Sequence, residues 1–288
     1  MYLSSSKLYY YTNLTEKQAI AELLNNLQSF IFDRGDYDNA EKIQEIVLKY
    51  CGPFGDKYTA MAGIYLKKGD LEKAKEYLAK GKEIDPRLYH TTIRCELDIL
   101  TAERKYQEVL KKIDSIMIDF PDFNRGLYYY QARAYMSLRK WQKALESVNK
   151  LLDNEPRNIK GLQIRAELYF KRMKDNQKAL IDLKKCLELG ADDFVTYSLF
   201  AELYGILDSE SINNLDYALD AKKYALKALA LNPKLAYMYY LLSRIATEQS
   251  QFVQAKEYYQ KAKELGFSDD EYETELKKLL DTHQDKNK

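Results

Sequence analysis

Apolar residues along this chain recur three and four positions apart, in short bursts separated by Gly-Asp, Asn or Pro. That spacing puts them on one face of an α-helix. The stretch 58–86 shows it most cleanly. Tyr58, Ala62 and Tyr65 share a face, and Gly69-Asp70 then interrupts the helix. Leu71, Ala74, Tyr77, Leu78 and Gly81 repeat the period for a second helix. Pro86 ends it, because proline cannot donate to the helical ladder. The small residues Ala62 and Ala74 allow two helix backbones to approach closely, and a bulky residue at either site would overpack the contact. A lone hairpin of this kind cannot bury its apolar face; stacked neighbours can.

The same hairpin recurs along the chain. Leu24, Leu27 and Ile31 predict a first helix, Gly35-Asp36-Tyr37 a turn, and Ala40, Ile43 and Val47 its partner. Ile93, Leu97 and Leu100 pair with Tyr106, Val109, Ile113 and Ile116, and Tyr128, Ala132 and Tyr135 pair with Trp141, Ala144, Val148 and Leu151. Pro86, Pro121 and Pro156 stand 35 residues apart, as do Ala74, Val109 and Ala144. Next come Leu162, Ala166 and Tyr169 with Ala179, Leu183 and Cys186, where one extra residue is expected in the turn. Tyr197, Ala201 and Tyr204 pair with Ala221, Ala225 and Ala228, with an insertion expected in the turn near 208–214. Tyr239, Ser243 and Ala246 pair with Phe252, Ala255, Tyr259 and Ala262. The stretch 270–281 predicts a lone cap whose Glu271, Glu273, Lys277 and Lys278 suit the polar outer face of a terminal unit.

Tyr58, Ala62, Tyr65, Ala74 and Pro86 resemble the signature of the tetratricopeptide repeat, a helix–turn–helix unit of about 34 residues. The resemblance covers about 20–269. It implies an all-α fold: a right-handed α-solenoid of stacked antiparallel helix hairpins with a C-terminal capping helix. The expected layout is an N-terminal arm over 1–13 and a single solenoid over 14–283. Its units fall at 15–54, 55–88, 90–123, 125–158, 159–193, 194–235 and 236–269, with a cap over 270–283 and a frayed tail over 284–288. The arm carries Tyr9, Tyr10 and Tyr11, which either pack on the first hairpin or reach into the protein's own groove.

Composition narrows the functions open to such a chain. Its 288 residues carry a formal charge of +1, which lacks the electrostatic footprint of a nucleic-acid binder. The 26 tyrosines are expected mainly in the core. Cys51, Cys95 and Cys186 form no C-x-x-C pair, so neither a metal site nor a disulfide framework is expected. No apolar run approaches membrane-spanning length, and the start M-Y-L-S-S-S-K lacks the features of a signal peptide. The sequence reading is therefore cytoplasmic, without membrane insertion.

No phosphate loop, dinucleotide fingerprint, zinc-protease motif or nucleophile elbow is present, and the histidines are only His90 and His283. Neither a catalytic residue nor a cofactor is expected. Asp192-Asp193 and Asp269-Asp270 precede helices and read as caps.

The resemblance implies that the first helices of successive units line a concave groove for a peptide or a partner's helix. The residues beside the core aromatics would face it: Thr59, Gly63 and Leu66, then Arg94 and Asp98. Tyr129, Tyr130 and Arg133, then Lys160, Gln163 and Glu167 follow, and after them Ser198 and Glu202, with Tyr237, Tyr240 and Arg244 last. Tyr129 with Arg133, and Tyr240 with Arg244, have the four-residue spacing of one helix face. Each pair could contact a peptide and hold a carboxylate, or simply stack without a ligand. One subset of the family grips the acidic tail of heat-shock chaperones with Lys, Asn, Asn, Lys and Arg; Thr59 and Gly63 replace the opening Lys and Asn here. The sequence thus points to a non-catalytic protein-interaction scaffold. A peptide-responsive regulator of an enzyme partner and an envelope or secretion assembly factor stay open beside it.

Overall fold

The computed structural model describes residues 16–51, 55–85, 89–119, 126–210 and 215–286. The arm 1–13, Pro86, Pro121 and residues 211–214 of the insertion lie outside the described residues, as do the side chains of Cys51, His90 and His283. The described elements are α-helices and one π-helical turn, with no strand among them. Backbone contacts divide the chain into two compact units, 1–121 and 122–288.

The first unit holds three hairpins: α1 (Glu16–Asp33) with α2 (Tyr37–Cys51), α3 (Gly55–Lys68) with α4 (Leu71–Ile84), and α5 (Tyr89–Ala102) with α6 (Tyr106–Asp119). Its core gathers Met61, Ala62, Ile64 and Tyr65 of α3 around Ala40, Ala74, Leu78, Cys95 and Ile99. The Tyr65 ring stacks on Tyr77 at 5.2 Å, and its hydroxyl donates to Glu41. Gly81 is where α4 meets the start of α3: a Cβ there would lie 2.9 Å from the Gly55 carbonyl oxygen. Leu27, expected in the core, is instead exposed on α1 together with Ile20, Leu23 and Phe30.

The second unit stacks α7 (Leu127–Ser137) with α8 (Trp141–Asn154), and α9 (Ile159–Leu168) with α10 (Asn176–Glu188). Next come α11 (Phe194–Glu210) with α12 (Leu215–Leu231), α13 (Ala236–Glu248) with α14 (Phe252–Glu264), and α15 (Asp270–Lys286). The recurrent alanines, among them Ala132, Ala144, Ala166, Ala179, Ala201 and Ala255, have no exposed surface, which is why the paired backbones pack so closely. Asp193 and Asp269 accept the Thr196 and Tyr272 backbone N–H groups at 3.0 Å, so both act as the helix caps expected of them. The cap helix is tied down further by the Tyr272 hydroxyl, 2.7 Å from both Ser243 Oγ and Thr247 Oγ1.

Two turns differ from the expected layout. The extra residue after Tyr169 does not sit in a loop; it widens the end of α9 into a π-helical turn, Tyr169–Met173. The insertion near 208–214 goes partly into regular structure, because α11 and α12 are each 17 residues long. The left-handed turn position held by Gly35 and Gly69 is occupied elsewhere by Arg104, Arg139, Lys174 and Ser250, with φ of 57–59°. Hydrogen bonds such as Lys140 N–H to Tyr135 C=O, at 2.8 Å, close those turns as they do at glycine.

Cys95 and Cys186 are buried free thiols, and burial pushes both up to about 12. They are therefore poor nucleophiles at neutral pH. Among the described residues no helix is long and apolar enough to cross a membrane.

Candidate functional site

In the second unit the first helices of successive hairpins, α7, α9, α11 and α13, lie side by side. Two adjoining cavities run along them. The first, of about 400 Å³, is lined by Tyr129, Arg133, Met136 and Ser137 of α7, by Lys160, Gln163, Ile164 and Glu167 of α9, and by Val195 and Leu199 of α11. The second, of about 370 Å³, shares Glu167, Val195 and Leu199 and continues past Lys171, Phe194, Ser198 and Glu202 to Lys234–Met238. Phe194, Val195 and Tyr237 are 38%, 39% and 42% exposed, so the second cavity has an apolar rim open to solvent.

The Tyr129 pair forms as its spacing implies. Arg133 Nη1 donates to the Tyr129 hydroxyl at 3.0 Å, with the guanidinium 5.7 Å from the ring centre. The Lys160 ammonium lies 5.9 Å from the same ring, and Tyr130 meets it edge-on at 5.5 Å. Tyr129 is thus a platform for two cations, each drawn to the electron-rich ring face.

A charged triad lines the second cavity, with its Glu167 shared with the first. Lys171 Nζ lies 2.6 Å from Glu202 and 3.3 Å from Glu167. Burial works against the Lys171 charge, yet the two carboxylates hold its ammonium above the usual lysine range. Burial pushes Glu202 upward, and Lys171 only partly offsets it. Lys171 was missed by the sequence reading, although it sits on the π-helical turn made by the one extra residue after Tyr169. Such turns gather at functional positions.

The other residues expected at the groove are placed as follows. Gln163 lines the first cavity but is largely buried, its amide donating to Thr196 Oγ1 at 2.8 Å. Tyr240 and Arg244 line a third cavity with Thr247, Glu248, Asp269 and Tyr272. They do not form a bonded pair like Tyr129 and Arg133. The Tyr240 hydroxyl donates to Asp269 at 2.8 Å, and Arg244 faces Glu248 at 3.9 Å. Burial and the Asp269 hydrogen bond push the Tyr240 phenol up to about 12. Tyr237 packs edge-on against Phe267 at 5.8 Å. Arg94 is exposed on α5, in the first unit. Thr59 is buried in α3 and donates to the Gly55 carbonyl at 3.0 Å, so it is unsuited to meet a ligand.

The family model described as tetratricopeptide repeat matches residues 58–88 and 236–265. Both stretches are hairpins whose helices pack as the repeat requires. Those two stretches are tetratricopeptide repeats.

Solved structures share the repeat fold at low identity. A chain of the APC/C hetero-tetramer Cut9–Hcn1 matches with a TM-score of 0.73 and 13% identity, over 88% of this chain and 48% of that one. This chain therefore spans about half the length of that relative. A tetratricopeptide repeat protein from Parabacteroides merdae gives 0.55 and 18%, over 90% and 98% of the two chains. The human IFIT1 dimer with m7Gppp-AAAA gives 0.59 and 17%, over 83% and 59%. At these identities the likeness is one of fold. No curated protein sequence matches the chain.

Proposed function

We propose that this chain is a non-catalytic interaction scaffold that binds a segment of a partner protein along α7, α9, α11 and α13. One observation carries the reading: two open cavities adjoin at Glu167, Val195 and Leu199 and together form a long channel-like surface with apolar and charged groups side by side. An extended or helical segment fits such a channel better than a compact metabolite does. Tyr129, Tyr130, Arg133 and Lys160 form one end of the site. Glu167 and Glu202 form the middle, and Tyr237 lies on the rim beyond; Tyr240 and Arg244 border a separate cavity in the same unit.

The solved relatives show two uses of the fold, a protein assembly in Cut9–Hcn1 and a capped RNA in IFIT1. The near-neutral charge of this chain and the apolar rim favour a protein segment here.

Recovery of a partner from native lysate tests the reading, with wild type set beside a Tyr129→Ala/Arg133→Ala variant of equal helicity. The variant is expected to bind about tenfold more weakly or worse, because it removes an aromatic and an arginine anchor together. Equal recovery by the two proteins would remove this end of the channel from the site.

A further inference from the structure

Charge along the channel is not spread evenly. Its walls carry four basic residues, Arg133, Lys160, Lys171 and Lys234, against two carboxylates, Glu167 and Glu202. Both carboxylates face the same ammonium, that of Lys171. One side chain therefore pairs with both carboxylates of the channel. Arg133 and Lys160 meanwhile stand over the Tyr129 ring in the lining of the first cavity. Lys234 lines the second cavity.

Resting on the binding function proposed above, we infer that the channel selects a peptide segment bearing a carboxylate next to large apolar residues, and that Lys171 determines this choice. The carboxylate meets Arg133 and Lys160 over Tyr129. The adjacent apolar side chain enters between Phe194, Val195 and Tyr237.

Lys171 acts on the ligand through Glu167 and Glu202, so it is a positioning residue. Without it, two carboxylates would face the incoming acid, and like charges in an interface oppose binding. It sits on the widened helical turn made by the one extra residue.

Two fluorescein-labelled octapeptide pools, acetylated and amidated at their ends, serve as probes. They share Leu, Ile, Phe and Tyr at the flanking positions and differ only in Glu or Lys at the centre. Fluorescence anisotropy with the full chain is expected to show the Glu pool bound more tightly. Lys171→Met should lower the ratio of Glu-pool to Lys-pool affinity by about tenfold, Lys171→Arg should keep it within about twofold, and Glu202→Gln should raise it. Circular dichroism establishes that each variant is folded.

Equal weakening of both pools by Lys171→Met would assign Lys171 a structural role and overturn the inference. So would a wild-type preference for the Lys pool. A labelled oligoadenylate that outcompetes the Glu pool, and whose binding falls in Lys171→Met, would transfer the channel to nucleic acid and overturn it as well. Failure of both pools and of the oligonucleotide to bind would remove the proposed binding function itself.

Discussion

Replacing Arg165 with methionine is expected to destabilise the second unit by about 3 kcal/mol. Arg165 Nε and Nη2 each donate to Asp182 at 2.8 Å, and Nη1 donates to Asn149 at 3.1 Å. One guanidinium thus ties α9 to both α10 and α8. The Asp182 side chain is only 4% exposed, so the variant would leave a carboxylate with neither water nor its cation. The cost comes from that stranded charge more than from the lost attraction. The double variant Arg165→Met/Asp182→Leu should regain most of the stability, because it strands nothing. Urea denaturation followed by fluorescence of Trp141, the chain's single tryptophan, measures both. A single-variant loss below about 1 kcal/mol would show that the pair is already solvated, as surface pairs are.

A glycine-to-alanine change is expected to have opposite signs at two sites of the first unit. At Gly81 the new Cβ would meet backbone oxygen at 2.9 Å and Thr59 Oγ1 at 3.0 Å, so α3 and α4 must separate. Gly81→Ala should cost about 2 kcal/mol despite its better helix propensity. At Gly63, on α3, nothing lies within 4 Å of the added carbon. Gly63→Ala should therefore stabilise by about 0.5–1 kcal/mol, the ordinary gain from restricting the unfolded chain. Thermal melting followed by circular dichroism reads both. Destabilisation by the two changes alike would refute the close approach at Gly81 as the reason for the difference.

The hairpins were legible because their signal is redundant. Period, small residues and turn residues all agree in the stretch around Ala62 and Ala74. Gly69 names its turn outright, since its φ of 83° suits glycine. Arg139 and Ser250 hold the same left-handed conformation without announcing it, because hydrogen bonds across the turn impose it on any residue. The one-residue excess after Tyr169 was visible as a count but not as a place. A loop absorbs an extra residue in one way and a helix end in another, and the count does not choose between them.

Groove chemistry was less legible still. The four-residue spacing of Tyr129 and Arg133 gave their contact, which depends on a single helix. The same spacing did not pair Tyr240 with Arg244, because Asp269, beyond the next helix, takes the Tyr240 hydroxyl. Glu167 and Glu202 were read as surface groups facing a ligand. Their shared counter-ion, Lys171, comes from a turn whose geometry the pattern of apolar residues does not encode.

The central claim is that a partner segment lies along α7, α9, α11 and α13 of the second unit. Site-specific photo-crosslinking tests it most directly, with p-benzoylphenylalanine at Val195 in the wall shared by the two cavities and, as a control, at Ile181 on α10, which is 65% exposed. Irradiation in native lysate is expected to join one partner protein to the Val195 variant and not to the Ile181 variant, with the adduct lost when the Glu-centred octapeptide pool is in excess. Equal adducts at both positions, or an adduct at Ile181 alone, would contradict the account.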